Sequence, residues 1–327
     1  MRLISIAACL IWGALAPAQG LPPVTGVSYG PIQPKIRVAP GQLAPFVLSG
    51  VRLLDGGEYR SLVAPANSSL PLTLGGVTVT ISTKDLNGTA VFEPVPIFAI
   101  EQWSSLCGLG LETSYPDQCL SAVITVHLPF DLPIERSPTS PVAGRPTLLA
   151  IRAGNRETAR MRLYVDGSRP RIARSCDLAG RARDACAFDY ITSSDGELLR
   201  TKGRHPTGVQ PSPGAVVVVY AFGLGRTDPV ALAGQRTQTP TLVAFPPLIS
   251  FEWLTPDGGT IQRRDVTPEY AGLAPGAIGL YQMNLTIPEV PMGVEPCTSV
   301  FNSNLRITLP APGTEIVESV EICVKPN

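Results

Sequence analysis

The sequence predicts an all-β protein that contains two tandem β-sandwich domains. Short apolar segments alternate with polar residues at a period of two, as in half-buried strands. The 31 glycines and 34 prolines separate these segments at turns, and no segment has the apolar spacing of an amphipathic helix. Because the chain has 327 residues, it is long enough to form two hydrophobic cores.

Composition and charge restrict the expected partners. The 26 basic and 26 acidic residues cancel, so no overall charge attracts the chain to nucleic acid or to an anionic membrane. Beyond the N-terminus, no segment approaches the roughly 20 consecutive apolar residues of a membrane helix. We therefore expect neither a nucleic-acid partner nor a membrane span.

Residues 1–18 have the pattern of a signal peptide. A positive start at Met1 and Arg2 precedes an apolar segment, and Ala16-Pro17-Ala18 forms a cleavage site. Cys9 offers lipoprotein acylation as an alternative, which is less favoured because the apolar segment continues beyond it. We expect cleavage near Ala18 and a protein that is secreted, periplasmic or at the cell surface.

Six cysteines remain after that cleavage, and they lie as three pairs of sequence neighbours. Six cysteines allow fifteen connectivities, among which proximity is only a guide. Export favours disulfides, and neither a C-x-x-C motif nor a nearby histidine supports a metal site. We predict three local disulfides and no metal, the pairs being Cys107 with Cys119, Cys176 with Cys186, and Cys297 with Cys323.

The first predicted domain covers residues 27–166. Val77, Val79 and Ile81 alternate with Thr78 and Thr80, which indicates a strand with one face exposed to water. Further strands are predicted at 46–48, 95–100 and 124–128, followed by a hairpin that joins 148–152 to 160–165 around Gly154 and Asn155.

Residues 167–212 are rich in arginine and lack periodicity, so we interpret them as an ordered connector pinned by Cys176 and Cys186. The second predicted domain, residues 213–327, opens with the apolar strand AVVVVYAFGLG. A hairpin around residues 256–259 follows, then an alternating strand in GLAPGAIGLYQMNLTIP (272–288), and a closing hairpin around Pro312-Gly313.

The two domains share landmarks in the same order. Pro40-Gly41 and Pro213-Gly214 each open a strand, while residues 126–129 and 285–288 each end one at a proline. A closing hairpin follows in both domains. Many short strands in a repeated order favour two immunoglobulin-like β-sandwiches.

Two motifs resemble a known family. The segments VVVVYAFGLG (216–225) and AGLAPGAIGLYQMNLTIP (271–288) are similar to an uncharacterised C-terminal domain of Solibacter and related Acidobacteria. The resemblance covers about residues 205–327, and the first domain is a looser, IPT/TIG-like copy. It departs from the family in the loop before the second motif, where Arg263-Arg264-Asp265 replaces a glycine-rich hairpin. The resemblance implies an extracellular module and supplies no catalytic residue.

Catalytic motifs lack their required context. Ser28 in GVSYG fits a nucleophile elbow, which needs a strand before it and a helix after it. His127 lies on the polar face of its predicted strand and His205 in the connector, so both are interpreted as solvated. Gly223-Leu224-Gly225 lacks the third glycine of a dinucleotide fold and is interpreted as a crowded strand end. We expect no enzymatic activity and no cofactor.

Two features suggest ligand contacts. Arginines accumulate between residues 156 and 183, among them Arg171, Arg174, Arg181 and Arg183, although a solvated connector is the favoured interpretation. Trp103 and Trp253 could stack on sugar rings, but core packing is the favoured interpretation of Trp253. The sequence predicts a non-enzymatic module for cell-surface adhesion or protein interaction, with a carbohydrate-binding module as the alternative. The partner is thus an unidentified protein or polysaccharide.

Overall fold

A computed structural model of the chain describes twelve parts of it: residues 24–27, 36–55, 59–65, 68–84, 90–104, 117–134, 147–158, 160–175, 177, 189–202, 208–310 and 318–326. Several predictions lie outside these residues. They concern the signal peptide with Cys9, the cysteines Cys107, Cys176 and Cys186, the arginines Arg181 and Arg183, and also Ser28 and His205.

Strands supply almost all of the regular structure, which confirms the all-β prediction. The N-terminal half contains twelve: β1 Val24–Val27, β2 Ile36–Val38, β3 Leu43–Ser49, β4 Arg60–Val63, β5 Thr73–Leu74, β6 Val77–Lys84, β7 Ala90–Pro94, β8 Ile97–Ser104, β9 Leu120–His127, β10 Thr147–Ala153, β11 Arg156–Glu157 and β12 Met161–Val165. A short 3-10 turn, Asp117–Cys119, precedes β9.

The C-terminal half contains the remaining eleven strands. They are β13 Arg171–Ile172, β14 Ile191–Ser193, β15 Val216–Phe222, β16 Thr227–Asp228, β17 Thr241–Val243, β18 Ile249–Leu254, β19 Thr260–Val266, β20 Tyr270–Leu273, β21 Tyr281–Thr286, β22 Leu305–Leu309 and β23 Glu318–Ile322.

Each half is built from two sheets. The first sheet has the order β1-β3-β9-β8-β4, and the second has β2-β12-β10-β6-β5 with β7 on β6 and β11 on β10. The third has β13-β15-β21-β20-β17-β16 with β14 on β15, and the fourth has β19-β18-β22-β23. Side chains of the first and second sheets form one hydrophobic cluster, and those of the third and fourth form another. This is the layering of β-sandwiches.

The predicted alternation is confirmed where it was clearest. In β6, Val77, Val79 and Ile81 are buried while Thr78 and Thr80 are half-buried on the opposite face. In β21 every second side chain is fully buried, beginning with Tyr281. Both strands therefore bury one apolar face, as a period of two requires.

Equivalent strands of the two halves pair in the same order. The series β1-β3-β9-β8-β4 corresponds to β13-β15-β21-β20-β17, and β7-β6-β10-β12 corresponds to β19-β18-β22-β23. The register agrees as well: Leu43 lies opposite His127 in β3 and β9, and Val216 lies opposite Thr286 in β15 and β21. The landmarks shared in the sequence thus occupy equivalent positions.

Part of the predicted connector belongs to the third sheet. Strands β13 and β14 both pair with β15, and Ile172, Ile191 and Leu199 are buried in the C-terminal core. These strands are only two and three residues long, so they show no periodicity in the sequence. Within residues 167–212, these segments therefore pack with the C-terminal half.

The two family-like motifs lie where the halves meet. A Cβ at Gly225 would stand 2.1 Å from the carbonyl oxygen of Gly167, and one at Gly279 would stand 2.9 Å from Cγ of Leu43. Both glycines have positive φ, of 99° and 63°. The crowded strand end predicted for Gly223-Leu224-Gly225 is therefore confirmed, and its cause is the close approach of the backbone at Gly167 and Arg169, in the segment that links the two halves.

Polar contacts also join the halves. Arg226 donates to the carbonyl oxygens of Phe130, Asp131 and Leu132 over 3.3–3.4 Å. The ring of Phe130 is buried in the C-terminal core although it follows β9 of the N-terminal half. Each half therefore contributes to the packing of the other.

Candidate binding site

Arg171 and Arg174, the two predicted contact arginines within the described residues, are bound to carboxylates. Arg171 lies 2.7 Å from Asp177 with 13% of its side chain exposed, and Arg174 lies 3.6 Å from Asp189. Glu318 lies close by; burial raises its pKa, against the lowering effect of both arginines. Asp177 within the same segment and Asp189 beyond it pair with these cations, so Arg171 and Arg174 do not form an open cationic surface.

The predicted aromatic contacts are also revised. Trp253 is 1% exposed and packs in the C-terminal core beside Phe251, so it cannot stack on an external ligand. Core packing, the favoured interpretation of Trp253, is what the structure shows. Trp103 is half-buried on β8, where it lies opposite Ser121.

His127 is buried, which corrects the prediction of a solvated histidine. Its Nδ1 accepts a hydrogen bond of 2.8 Å from the backbone N–H of Gly234 in the C-terminal half. Its Nε2 is buried without a hydrogen-bond partner in the described part of the chain. Burial lowers the pKa of His127 to about 4, against a smaller raising effect of the Gly41 backbone. The residue that covers it, Gly279, comes from the other half of the chain.

A depression on the outer face of the second sheet combines an exposed aromatic ring with charged and hydroxyl side chains. We call it the Phe92 groove; it has a volume of about 280 Å³ and is lined by Thr78, Thr80, Phe92, Ala150, Arg152, Glu157 and Arg160. Strands β6, β7 and β10 supply the first five of these residues, and the other two lie in β11 and just before β12.

Strand register brings these side chains together. Thr80 lies opposite Ala150 and Thr78 lies opposite Arg152 across the β6–β10 pair. Side chains on one face of neighbouring strands stand close enough to contact one another. Because Ala150 is small and 6% exposed, the longer side chains around it enclose a shallow space.

The groove contains one paired and one unpaired cation. Arg152 forms an ion pair of 3.0 Å with Glu157. The guanidinium carbon of Arg160 lies 4.6 Å from the ring centroid of Phe92, a cation–π contact. Within the described residues, no carboxylate lies within ion-pair distance of Arg160. The Phe92 side of the groove therefore offers a net positive charge beside a ring whose residue is 46% exposed.

Sequence reasoning identified only part of this groove. The alternation in β6 correctly predicted an exposed face with Thr78 and Thr80. Strand β7 with Phe92 was missed, and Arg160 was counted only as one of many arginines. The one signal for Phe92 was an aromatic residue two positions before the β7 proline, Pro94, which is too common a pattern to single out.

A second depression, of about 370 Å³, lies at one end of the N-terminal half, between the segment after β3 and the turns that join β5 to β6 and β10 to β11. Its two arginines, Arg52 and Arg156, are matched in number by two aspartates, Asp55 and Asp117, and Arg52 binds Asp117 over 2.9 Å, so the lining carries no net charge. It therefore offers less unsatisfied charge than the Phe92 groove.

The described residues contain neither a metal-binding cluster nor a helix that could span a membrane. No group of three or more histidine, cysteine or acidic side chains lies close enough together to bind a metal ion. Likewise, no helix there has both the length and the apolar character needed to cross a membrane.

The disulfide predictions are tested at one pair. Cys297 and Cys323 form a disulfide, as predicted, which ties the segment before β22 to the end of β23. Cys119 is also disulfide-bonded, while its predicted partner Cys107 lies outside the described residues.

Comparisons with known proteins show no family. No family model matches the sequence, and no curated protein matches it. Among solved structures, the N-terminal CBM22-1–CBM22-2 tandem domain of Paenibacillus barcinonensis Xyn10C aligns at 13% identity over 89% of this chain and 86% of that one, with a TM-score of 0.14. A score this low carries no argument about fold or function.

Proposed function

We propose that this protein is an exported, non-enzymatic binding protein that acts in adhesion or protein interaction at the cell surface. Its two halves are taken to be immunoglobulin-like sandwiches, the second of them a Solibacter-type domain. The pattern of residues 1–18 and the Cys297–Cys323 disulfide support export, since disulfides persist in oxidising compartments. Loss of binding to every surface component, together with measurable hydrolase turnover, would contradict the proposal.

The observation that carries a binding role is the Phe92 groove. Its side chains stand on adjacent strands of a hydrogen-bonded sheet, so their spacing is fixed before any ligand arrives. Preorganisation of this kind lowers the entropic cost of binding.

The test is capture from native cell envelopes by the full chain, compared with the variants Phe92→Ala and Phe245→Ala. Phe245 is 78% exposed in the loop after β17, so its removal controls for general loss of an exposed aromatic. We expect Phe92→Ala to lose the captured component and Phe245→Ala to retain it. Equal capture by both variants would show that the groove does not carry the function.

Carbohydrate binding is the second candidate, and the composition of the groove favours it. Aromatic rings pack against the C–H faces of sugars, while hydroxyl and guanidinium groups bond to sugar oxygens. Phe92, Thr78 and Arg160 provide these three kinds of group within one groove. The earlier candidate for stacking, Trp253, does not take part because it is buried.

Affinity electrophoresis in gels that contain plant or bacterial polysaccharides tests this candidate. Retardation of the full chain that disappears in Phe92→Ala supports it. Trp103→Ala is a useful companion because Trp103 lies on the first sheet, away from the groove. Equal retardation of the unmodified protein and Phe92→Ala would exclude the groove as the sugar-binding surface.

A further inference from the structure

We infer that the Phe92 groove binds a carboxylated sugar unit of an acidic polysaccharide, with Arg160 pairing to the carboxylate and Phe92 packing against the sugar ring. The inference rests on the proposed binding function and names the ligand class of the same groove. It is carried by charge, by the accessible ring, and by the position of the groove on a sheet face.

The charge of the groove selects an anion. Glu157 neutralises Arg152, which leaves the charge of Arg160 unmatched within the described part of the chain. The ring of Phe92 keeps the Arg160 guanidinium over one of its faces and provides no hydrogen-bond acceptors for its N–H groups. A carboxylate is the planar partner that a guanidinium binds with two parallel hydrogen bonds.

The neighbouring groups fit a sugar. Phe92 is 46% exposed, so part of its ring remains available to a C–H face after Arg160 is in place. The hydroxyls of Thr78 and Thr80 point to the same face and can both donate to and accept from sugar hydroxyls. The volume of about 280 Å³ is just below the roughly 300–1,000 Å³ typical of small-ligand pockets, which suits one or two units of a polymer.

The position of the groove argues against an acidic peptide. Extended peptides usually bind a sheet at an open edge, where their backbone forms hydrogen bonds with the outer strand. The groove instead lies mainly over the β6–β10 pair, whose backbone groups are bonded to each other along six residue pairs, and it reaches the outer strand β7 only at Phe92. Recognition there must come from side chains.

A second arginine–aromatic pair extends the same face. The guanidinium carbon of Arg162 lies 4.8 Å from the ring centroid of Tyr164 in β12. Leu163 and Val165 point into the core, so Arg162 and Tyr164 lie on the outer face. β12 is three strand positions from β7, which corresponds to about 14 Å. A polysaccharide chain that crosses the strands would therefore pass over both pairs.

The test is affinity electrophoresis of the full chain in polygalacturonate and in the same polymer after methyl esterification, which removes the charge but keeps the backbone. We expect binding to polygalacturonate that weakens with salt, with at least about tenfold weaker binding to the esterified polymer. Arg160→Gln should lose about tenfold in affinity for the charged polymer only, and Phe92→Ala should weaken binding to it as well.

Two control variants test the assignment to the groove. Arg263→Gln removes an exposed arginine from the fourth sheet, and Phe245→Ala removes an exposed aromatic from a loop. Both should bind polygalacturonate as the unmodified protein does. A loss in either of them as large as in Arg160→Gln would overturn the assignment.

The remaining outcomes separate this inference from the proposed function. Equal affinity for the charged and esterified polymers would overturn the acidic ligand and leave a saccharide-binding function. Binding to poly-glutamate but to neither polysaccharide would overturn the saccharide and leave protein interaction. Absence of binding to polysaccharides, poly-glutamate and cell envelopes would overturn both.

Discussion

The outer faces of the second and fourth sheets are formed by equivalent strands, but they differ in how their charged side chains are paired. On the fourth sheet, Arg306 links Glu252 and Glu321 over 3.1 and 2.8 Å, and Lys202 also binds Glu321 over 2.7 Å. On the second sheet, the Phe92 groove has a ring and a cation with no carboxylate partner among the described residues. The charged side chains of the fourth sheet thus pair with one another, whereas the second sheet leaves an aromatic ring and an arginine available to a ligand.

Strand pairing fixes the positions of the outward side chains, while their chemical type decides whether they pair with one another or leave space for a ligand. In both faces the alternating positions of two central strands project outward at the spacing of a sheet. Acidic residues on the fourth sheet turn these positions into an ion-pair network. Threonine and alanine at the corresponding region of the second sheet leave a depression instead.

The largest expected effect distinguishes Trp253, which is buried beneath the fourth sheet, from Phe92, which is exposed on the outer face of the second sheet. Trp253→Ala should lower the free energy of unfolding by about 3–5 kcal/mol, because it removes a large side chain that is 1% exposed. Phe92→Ala should cost about 1 kcal/mol or less, since Phe92 is already 46% exposed. Urea titrations followed by circular dichroism measure both values. Similar losses in the two variants would refute the distinction.

The last strands of the two halves are anchored differently. Asp166, directly after β12, binds Arg37 over 2.5 Å and Arg169 over 3.3 Å, whereas Cys323, directly after β23, is covalently joined to Cys297. The disulfide closes a separation of 26 residues, so its reduction should lower the free energy of unfolding by roughly 3 kcal/mol. Denaturation of the double variant Cys297→Ala/Cys323→Ala measures this effect without a reducing agent, which would also act on other disulfides. A change below about 1 kcal/mol would contradict it.

Position 127 in β9 and its equivalent 286 in β21 differ in their response to pH. Burial in the folded state lowers the pKa of His127 from its usual 6.5 to about 4. Between about pH 6.5 and pH 4, His127 is therefore protonated in the unfolded chain and neutral in the folded chain. The free energy of unfolding should fall by up to about 3 kcal/mol between pH 7 and pH 4.

The variant His127→Asn isolates this contribution, because its side-chain oxygen can accept from Gly234 N–H and has no proton to gain. Its stability should fall less steeply with decreasing pH than that of the unmodified protein. Parallel profiles from pH 7 to pH 4 would mean that His127 is not the titrating group.

The smallest expected effect is the difference in stability between a variant that lacks an arginine on the fourth sheet and one that lacks an arginine on the second. Arg306→Gln should lower the free energy of unfolding by about 1 kcal/mol, since it leaves Glu252 and Glu321 without their shared cation. The loss should shrink in 1 M salt because screening already weakens these pairs. Arg160→Gln should change stability by less than about 0.5 kcal/mol. Thermal unfolding of both variants at low and high salt decides whether the faces differ as described.

Features that depend on local alternation could be predicted from the sequence. The strands around Val79 and Met283, the hairpins and the equivalence of the halves all follow from apolar periodicity and turn residues. Interactions between distant segments could not be predicted. His127 is buried by residues from the other half, Arg174 meets Asp189, and the Phe92 groove needs the register of four strands.

The short strands β13 and β14 have a consequence for any attempt to divide this chain. They cover one edge of β15, whose other edge pairs with β21. A fragment that begins near residue 205, where the family-like region starts, would leave that apolar strand with unpaired backbone groups along one side. Such an edge is a template for pairing with another chain, so the fragment should aggregate more readily than the intact chain.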